Sequence, residues 1–160
     1  MVGEPARHDL VEEVAALYEW IDDQLRRHSG RAGRCDACGA CCDFAAYDHR
    51  LFVTPPELLY LTTRLNTETL KSSDANRCPY QQGGRCTVHK HRFAGCRIFC
   101  CKGDPTFQSE LSEAALRKIK RICERRAVPY HYRELGEALR RFSSDTCLSA
   151  EAPCPADRED

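Results

Sequence analysis

The sequence predicts a small, mainly α-helical domain with irregular cysteine-rich loops and a short β-hairpin. Apolar residues recur at helical spacing in several separate stretches. Twelve cysteines in 160 residues exceed what a core of this size uses, and most of them fall between residues 35 and 101. A Gly-Gly pair at 83–84 stands between two short runs that can form strands. At this length one domain is expected, spanning 7–142, with a flexible lead-in over 1–6 and a disordered tail over 143–160.

The first helix is expected from Arg7 to His28. Leu10, Val14, Leu17, Ile21 and Leu25 form its stripe, with Val11 and Tyr18 alongside and the charges mostly opposite. Trp20 lies off that stripe and reads as a packing residue. Ser29-Gly30-Arg31-Ala32-Gly33 ends the helix. The segment from Asp43 to Val53 reads as loop or short extended chain. Thr54 is the expected cap of the next helix, Pro55 its first residue and Glu57 the partner in a capping box. Leu58, Leu61 and Leu65 give that helix a buried face.

A hairpin is expected from Cys78-Pro79-Tyr80 and Arg85-Cys86-Thr87-Val88, joined through Gln81-Gln82-Gly83-Gly84. Beyond Pro105 comes a long helix whose stripe is Leu111, Ala115, Ile119, Ile122 and Cys123. Its polar side carries Arg117, Lys118, Lys120, Arg121, Arg125 and Arg126, which reads as a solvated face rather than a nucleic-acid surface. Pro129 breaks it and opens a last helix from Tyr130 to Phe142, burying Leu135, Leu139 and Phe142.

The cysteines carry the chemistry. Cys35, Cys38 and Cys41 are spaced C-x2-C-x2-C, which folds three thiolates around one point as ferredoxin-type loops do. Cys42 follows directly. Side chains of neighbouring residues in extended backbone point apart, so Cys41 and Cys42 are expected to serve two metals, or a cluster and the core. Cys78, Cys86, Cys96 and Cys100 supply a second set of four. The eight together fill two four-sulfur sites, or one cubane and a further site; both metals accept four thiolates, so the choice stays open. The expected cofactor is an iron–sulfur cluster or zinc, and the helices are expected to be organised around that centre.

Cys101, Cys147 and Cys154 are extra to the count, and Cys123 reads as a buried small hydrophobe. His89 and His91 lie in the same loop and could replace a thiolate. Asp48 and His49 could form an acid–base pair, though a solvated loop histidine is the plainer reading.

Charge is consistent with this. Lys+Arg and Asp+Glu balance at 24 each, so overall charge selects no nucleic acid or membrane. Locally, Arg77, Arg85, Lys90, Arg92, Arg97 and Lys102 fall in a stretch with no acid. A four-thiolate zinc site carries a formal charge of about −2, which such residues would offset while donating hydrogen bonds to sulfur. Glu4, Asp9, Glu12, Glu13, Glu19, Asp22 and Asp23 interrupt any apolar run a secretory signal would need. A reducing cytoplasm is therefore expected, where clustered cysteines bind metal more often than they pair.

In combination, Cys35-x2-Cys38-Gly39-x-Cys41-Cys42, Thr54-Pro55-Pro56-Glu57, Cys78-Pro79, Cys86-x-Val88, Arg92 and Cys96-Arg97-x-Phe99 resemble the CxxCxxCC cysteine-cluster family, the YkgJ-like zinc- or iron-chelating domains. The resemblance covers about residues 34 to 101. It departs at His89, where the family often has an aromatic residue, and at Phe93, where proline usually follows arginine. It implies chelation of zinc or an iron–sulfur cluster and no settled reaction, although one related group carries the domain in a flagellin lysine methylase.

The leading expectation is thus a cytoplasmic metalloprotein with eight thiolate ligands, suited to redox or electron transfer with a protein redox partner. Metal loss should unfold much of it. A metal-dependent modifying enzyme is the alternative, and a thiol-rich metal carrier the third. No GxSxG, Rossmann glycine pattern or HExxH is present to support an enzyme.

Overall fold

The computed structural model describes residues 3–46, 50–71 and 76–142. The expected tail with Cys147 and Cys154, and the Asp48–His49 pair, lie outside the described residues.

Two long helices and one shorter one make the frame. Helix α1 (Glu4–Arg27) starts inside the expected lead-in, because Pro5 is at home in a first helical turn. A break at His28 leads into a single turn, α2 (Ser29–Ala32), where a plain terminus was expected. Helix α3 (Pro55–Leu65) and helix α5 (Pro105–Arg126) follow later in the chain. Val14 and Ile21 of α1 and Ile119 of α5 are essentially inaccessible, each stabilising the fold by roughly 1.5–3 kcal/mol. Cys123 is buried in the same cluster, as its stripe predicts, and Trp20 packs at its edge under the Lys118 ammonium. The polar side of α5 is not wholly solvated: Arg125 and Arg126 form ion pairs with Glu13 of α1, and Arg126 also with Asp9.

Helix α3 joins two cores. Leu59 and Tyr60 face the α1–α5 cluster, while Leu58 and Leu61 face a second one. That second cluster contains Phe44, Leu51, Val53, Tyr80, Val88, Phe93, Leu135 and Leu139, with Cys42, Cys86 and Cys96 packed against it. Strand β1 (Phe52–Val53) precedes α3. Strands β2 (Gln81–Gln82) and β3 (Arg85–Cys86) form the expected hairpin, with Gln81 and Gln82 inside the strand and not in the turn. Gly83 and Gly84 both have positive φ, as a two-residue hairpin turn needs.

Helix α4 (Ala94–Ile98) was not legible in the sequence. Five residues are too few to show a period. The last expected helix is corrected: α6 covers only Leu135–Arg141. Before it, β4 (Arg133–Glu134) pairs antiparallel with β1, Phe52 opposite Glu134. The β-prone run Val128-Pro129-Tyr130-His131-Tyr132 has no helical period to hold it, and the Glu134 carboxylate instead accepts from Gly136 N and starts α6.

Among the described residues, no helix is long and apolar enough to cross a membrane.

The buried carboxylate of Glu57 ties the frame together. It accepts from Thr54 N at 3.0 Å and Thr54 Oγ1 at 2.9 Å, within the expected capping box. It also accepts from Tyr18 OH at 3.2 Å on α1 and from Ala94 N at 2.8 Å at the start of α4. Burial raises its pKa and these four donors oppose the rise. One side chain thus fixes α1, α3 and α4, and α4 carries Cys96.

Candidate metal centre

Two close backbone approaches bring the cysteine stretches together. Gly39 has φ +70°, and a Cβ there would lie 2.7 Å from the Gly84 carbonyl oxygen in the hairpin turn. Only glycine meets both demands. Gln81 Nε2 donates to the Gly39 carbonyl at 2.6 Å, and Cys78 N to the Cys42 carbonyl at 2.9 Å. The first loop is therefore fastened to the hairpin. At its other end Gly33, with φ +74°, lies against Lys102 and Gly103, where a Cβ would come within 2.9 Å of backbone. Asp104 N donates to Arg31 O at 2.8 Å, and Lys102 forms an ion pair with Asp36 at 2.7 Å.

Between these two attachments lies a cavity of about 280 Å³. All eight cysteines singled out in the sequence line it: Cys35, Cys38, Cys41, Cys42, Cys78, Cys86, Cys96 and Cys100. Cys101, which the sequence reading set aside, lines it too. The ten cysteines among the described residues are all free thiols.

The innermost thiols form one group. Cys42 lies among Cys41, Cys78 and Cys86, close enough for these thiols to influence one another's protonation. Cys41 and Cys42 were expected to point apart; they do not, because Ala40–Cys42 is a 3₁₀ turn and the backbone there is not extended. The hydrogen bond from Cys42 lowers Cys41 from 9.0 to about 6 and does the same for Cys86, against the cost of burial and with help from Arg92. Cys78 is lowered by the same donor. Cys42 itself is raised, by its neighbours Cys41, Cys78 and Cys86 first and then by burial. Cys96 is raised by burial first and then by the charges of Cys78, Cys41 and Cys86, and packs with Cys42 and Cys86 against the second core.

Of the six basic residues expected to offset thiolate charge, the structure brings only some to the cavity. Arg92 and Lys102 line it, as does Arg34. Arg92 Nη1 lies 3.8 Å from Cys35 Sγ and 2.8 Å from His89 Nε2. An arginine only donates, so His89 Nε2 is the acceptor and its ring is neutral. Burial first, then Arg92 and Arg97, lower the His89 pKa in the same sense. Arg97 turns away to Asp22, and Arg77 pairs with Asp43. His89 lines the cavity, whereas His91 packs on Tyr60 with its rings 6.1 Å apart.

Among the described residues no three His, Cys, Asp or Glu side chains are already disposed as a metal site. The donor chemistry nevertheless fits one. Clustered soft thiolates favour zinc, copper(I) and iron–sulfur centres. Phe44, Leu51, Val88 and Phe93 supply an apolar wall. Compared with protein-family models, curated proteins and solved structures, the chain gives no match.

Proposed function

We propose that this chain is a cysteine-cluster metalloprotein that binds an iron–sulfur cluster or zinc through its converging thiolates. One observation carries the reading: cysteines of the first stretch, Cys35, Cys38, Cys41 and Cys42, and of the distant second one, Cys78, Cys86, Cys96, Cys100 and Cys101, line one cavity. Cysteines that serve only as small buried hydrophobes have no need to converge on one cavity from distant stretches of chain. The motif order shared with the YkgJ-like family accords with this.

When bound, zinc supplies a closed tetrahedral crosslink, and an iron–sulfur cluster a redox centre. The chain's own residues do the rest. Arg92 places positive charge beside Cys35, Cys41 and Cys86, offsetting thiolate charge and raising the reduction potential of any cluster held there. Phe44, Leu51, Val88 and Phe93 set an apolar wall beside Cys41, Cys42, Cys78 and Cys86. Gly39 and the hairpin hold Cys41 and Cys42 against Cys78 and Cys86.

The test is to replace Cys42 and Cys78 separately with serine in the full chain and measure bound iron and zinc after anaerobic purification. Either change should remove the same metal, because both sulfurs face one centre. Undiminished metal in either variant would overturn the shared centre.

A further inference from the structure

The short bridge between the two cysteine stretches has a definite register. Asp43 pairs antiparallel with Arg77. Cys78 N donates to Cys42 O at 2.9 Å on one side of this pair, and Phe44 N to Asn76 O at 3.0 Å on the other. Side chains of paired extended chain alternate between faces, and opposed residues share a face. Asp43 and Arg77 lie on the outer one, where they form an ion pair at 3.1 Å. Cys42 and Cys78 are the next opposed pair and lie on the inner one. Both pack in the second core with Phe44, and both line the cavity.

Opposed antiparallel residues stand about 4.5–5.5 Å apart between Cα atoms, inside the span of about 4.4–6.8 Å that a disulfide accepts. A single bridge holds the two chains here, so little ladder resists the closing of two sulfurs. Among the described residues no other two cysteines are opposed in a paired register. Cys86 faces Gln81 across the hairpin, Cys41 lies one residue out of step in the 3₁₀ turn, and Cys96 is carried on α4. The same cavity reaches Cys35, Cys38 and Cys101, which are exposed. At about 280 Å³ it admits a molecule as small as a peroxide.

We propose that Cys42 and Cys78 form a reversible oxidation site, joined as a cross-strand disulfide by a peroxide. One thiolate attacks the peroxide and breaks its O–O bond, giving a sulfenic acid and water. The second thiolate attacks that sulfur, forms the S–S bond and expels hydroxide, which leaves as water. Both thiol protons end in water; each sulfur gives up one electron and the peroxide gains two. A thiol or phosphine reductant reverses the change. Its link to metal rests on the cavity being a metal centre. A sulfur in an S–S bond is no longer a thiolate ligand, so oxidation and metal occupancy exclude each other at these two residues. The chain releases its ion under peroxide and takes it back after reduction.

Disulfide mapping of the full chain tests this. Zinc-loaded and zinc-stripped protein are each treated with one equivalent of hydrogen peroxide, and free thiols are blocked with N-ethylmaleimide in guanidinium. Tryptic peptides are then sequenced by mass spectrometry without reduction. Cys78 falls alone in the peptide 78–85 and Cys42 in the peptide 35–50, whose fragmentation tells Cys42 from Cys41. The stripped chain should show Cys78 joined to Cys42, with Cys123 blocked as a free thiol. Cys41→Ser should keep that crosslink and Cys42→Ser should lose it. In the loaded chain zinc should appear in solution one for one with the crosslink, and a phosphine reductant should restore zinc binding. A crosslink formed with zinc retained would overturn the exclusion. A chain that holds zinc, yet under peroxide pairs Cys78 with another cysteine or leaves it blocked, would overturn this site and leave the metal reading standing. The same crosslink in a chain that never takes up zinc or iron would overturn the metal reading and the link to it, but not the oxidation site.

Discussion

Arg97 sits beside a cysteine in a basic stretch, and its sequence position suggests service to the metal. The geometry gives it a structural task instead, and Arg97→Met separates the two. The side chain is buried, with Nη1 2.9 Å from Asp22 Oδ2 on α1. Nε donates to Arg92 O and Nη2 to Lys90 O, each at 2.9 Å. The guanidinium also lies over the Tyr18 ring, 4.3 Å from its centroid. Hydrogen bonds from a charged donor contribute about 1.5–3 kcal/mol each and are not additive. Asp22 is more than a third exposed, so the ion pair counts for the lower part of the exposed range, under about 1 kcal/mol. Methionine keeps much of the stem's packing but leaves two carbonyls without this donor. The expected loss is about 3 kcal/mol, which for a chain of this length lowers Tm by about 6–12 °C. Arg97→Lys should recover part of it, because an ammonium cannot reach all three acceptors. The assay is thermal and guanidinium denaturation of the metal-loaded protein, with metal content measured on the same sample. A variant with unchanged Tm and lost metal would refute the reasoning, since Arg97 would then serve the sulfurs and not the α1–α4 junction.

Other outcomes follow from the same geometry. Gly39→Ala forces a Cβ against the Gly84 carbonyl at positive φ, which should cost at least about 1–2 kcal/mol and loosen the first loop from the hairpin. Hydrogen exchange should show it as lost protection at Cys42 and Cys78 amides with α1 and α5 unchanged. In the metal-free protein, iodoacetamide should modify Cys41 and Cys86 at pH 7, whereas Cys123, buried and pushed up to about 11, stays unmodified; peptide mapping reads this directly. The folded pKa values of Cys41 and Cys86 lie below the ordinary 9.0, so their contribution to metal-free stability is full above about pH 9 and declines as pH falls through 6. Denaturant midpoints between pH 9 and 5 should fall accordingly. Chelation should leave most far-UV helical signal intact, because the α1–α5 cluster contains no cavity cysteine.

The last point departs from the sequence expectation that metal loss unfolds much of the chain, because a helical cluster without cavity cysteines is present, and chelation decides between the two. Long periodic stripes were readable: Leu10 to Ile21 and Leu111 to Cys123 bury the side their spacing implies. Thr54 and Glu57 were readable as a cap, but the donors from Tyr18 and Ala94 were not, because nothing local signals a partner on another helix. The two-residue strands β1 and β4 are too short for alternation to show. The eight cysteines that spacing singled out line one cavity, yet spacing treated Cys41 and Cys42 as opposed neighbours. The 3₁₀ turn that puts them side by side depends on Gly39 meeting the hairpin, a contact between distant residues. Composition showed that the loop is basic, but could not tell Arg92, which reaches Cys35, from Arg97, which faces α1.

The most direct measurement is elemental analysis and an electronic spectrum on one sample of the full chain, purified anaerobically without added metal. The account predicts at least one equivalent of iron or zinc per chain. Iron would come with visible absorbance that bleaches on dithionite, and zinc without colour. A folded chain free of both metals, with the cavity cysteines joined in disulfides, would contradict it.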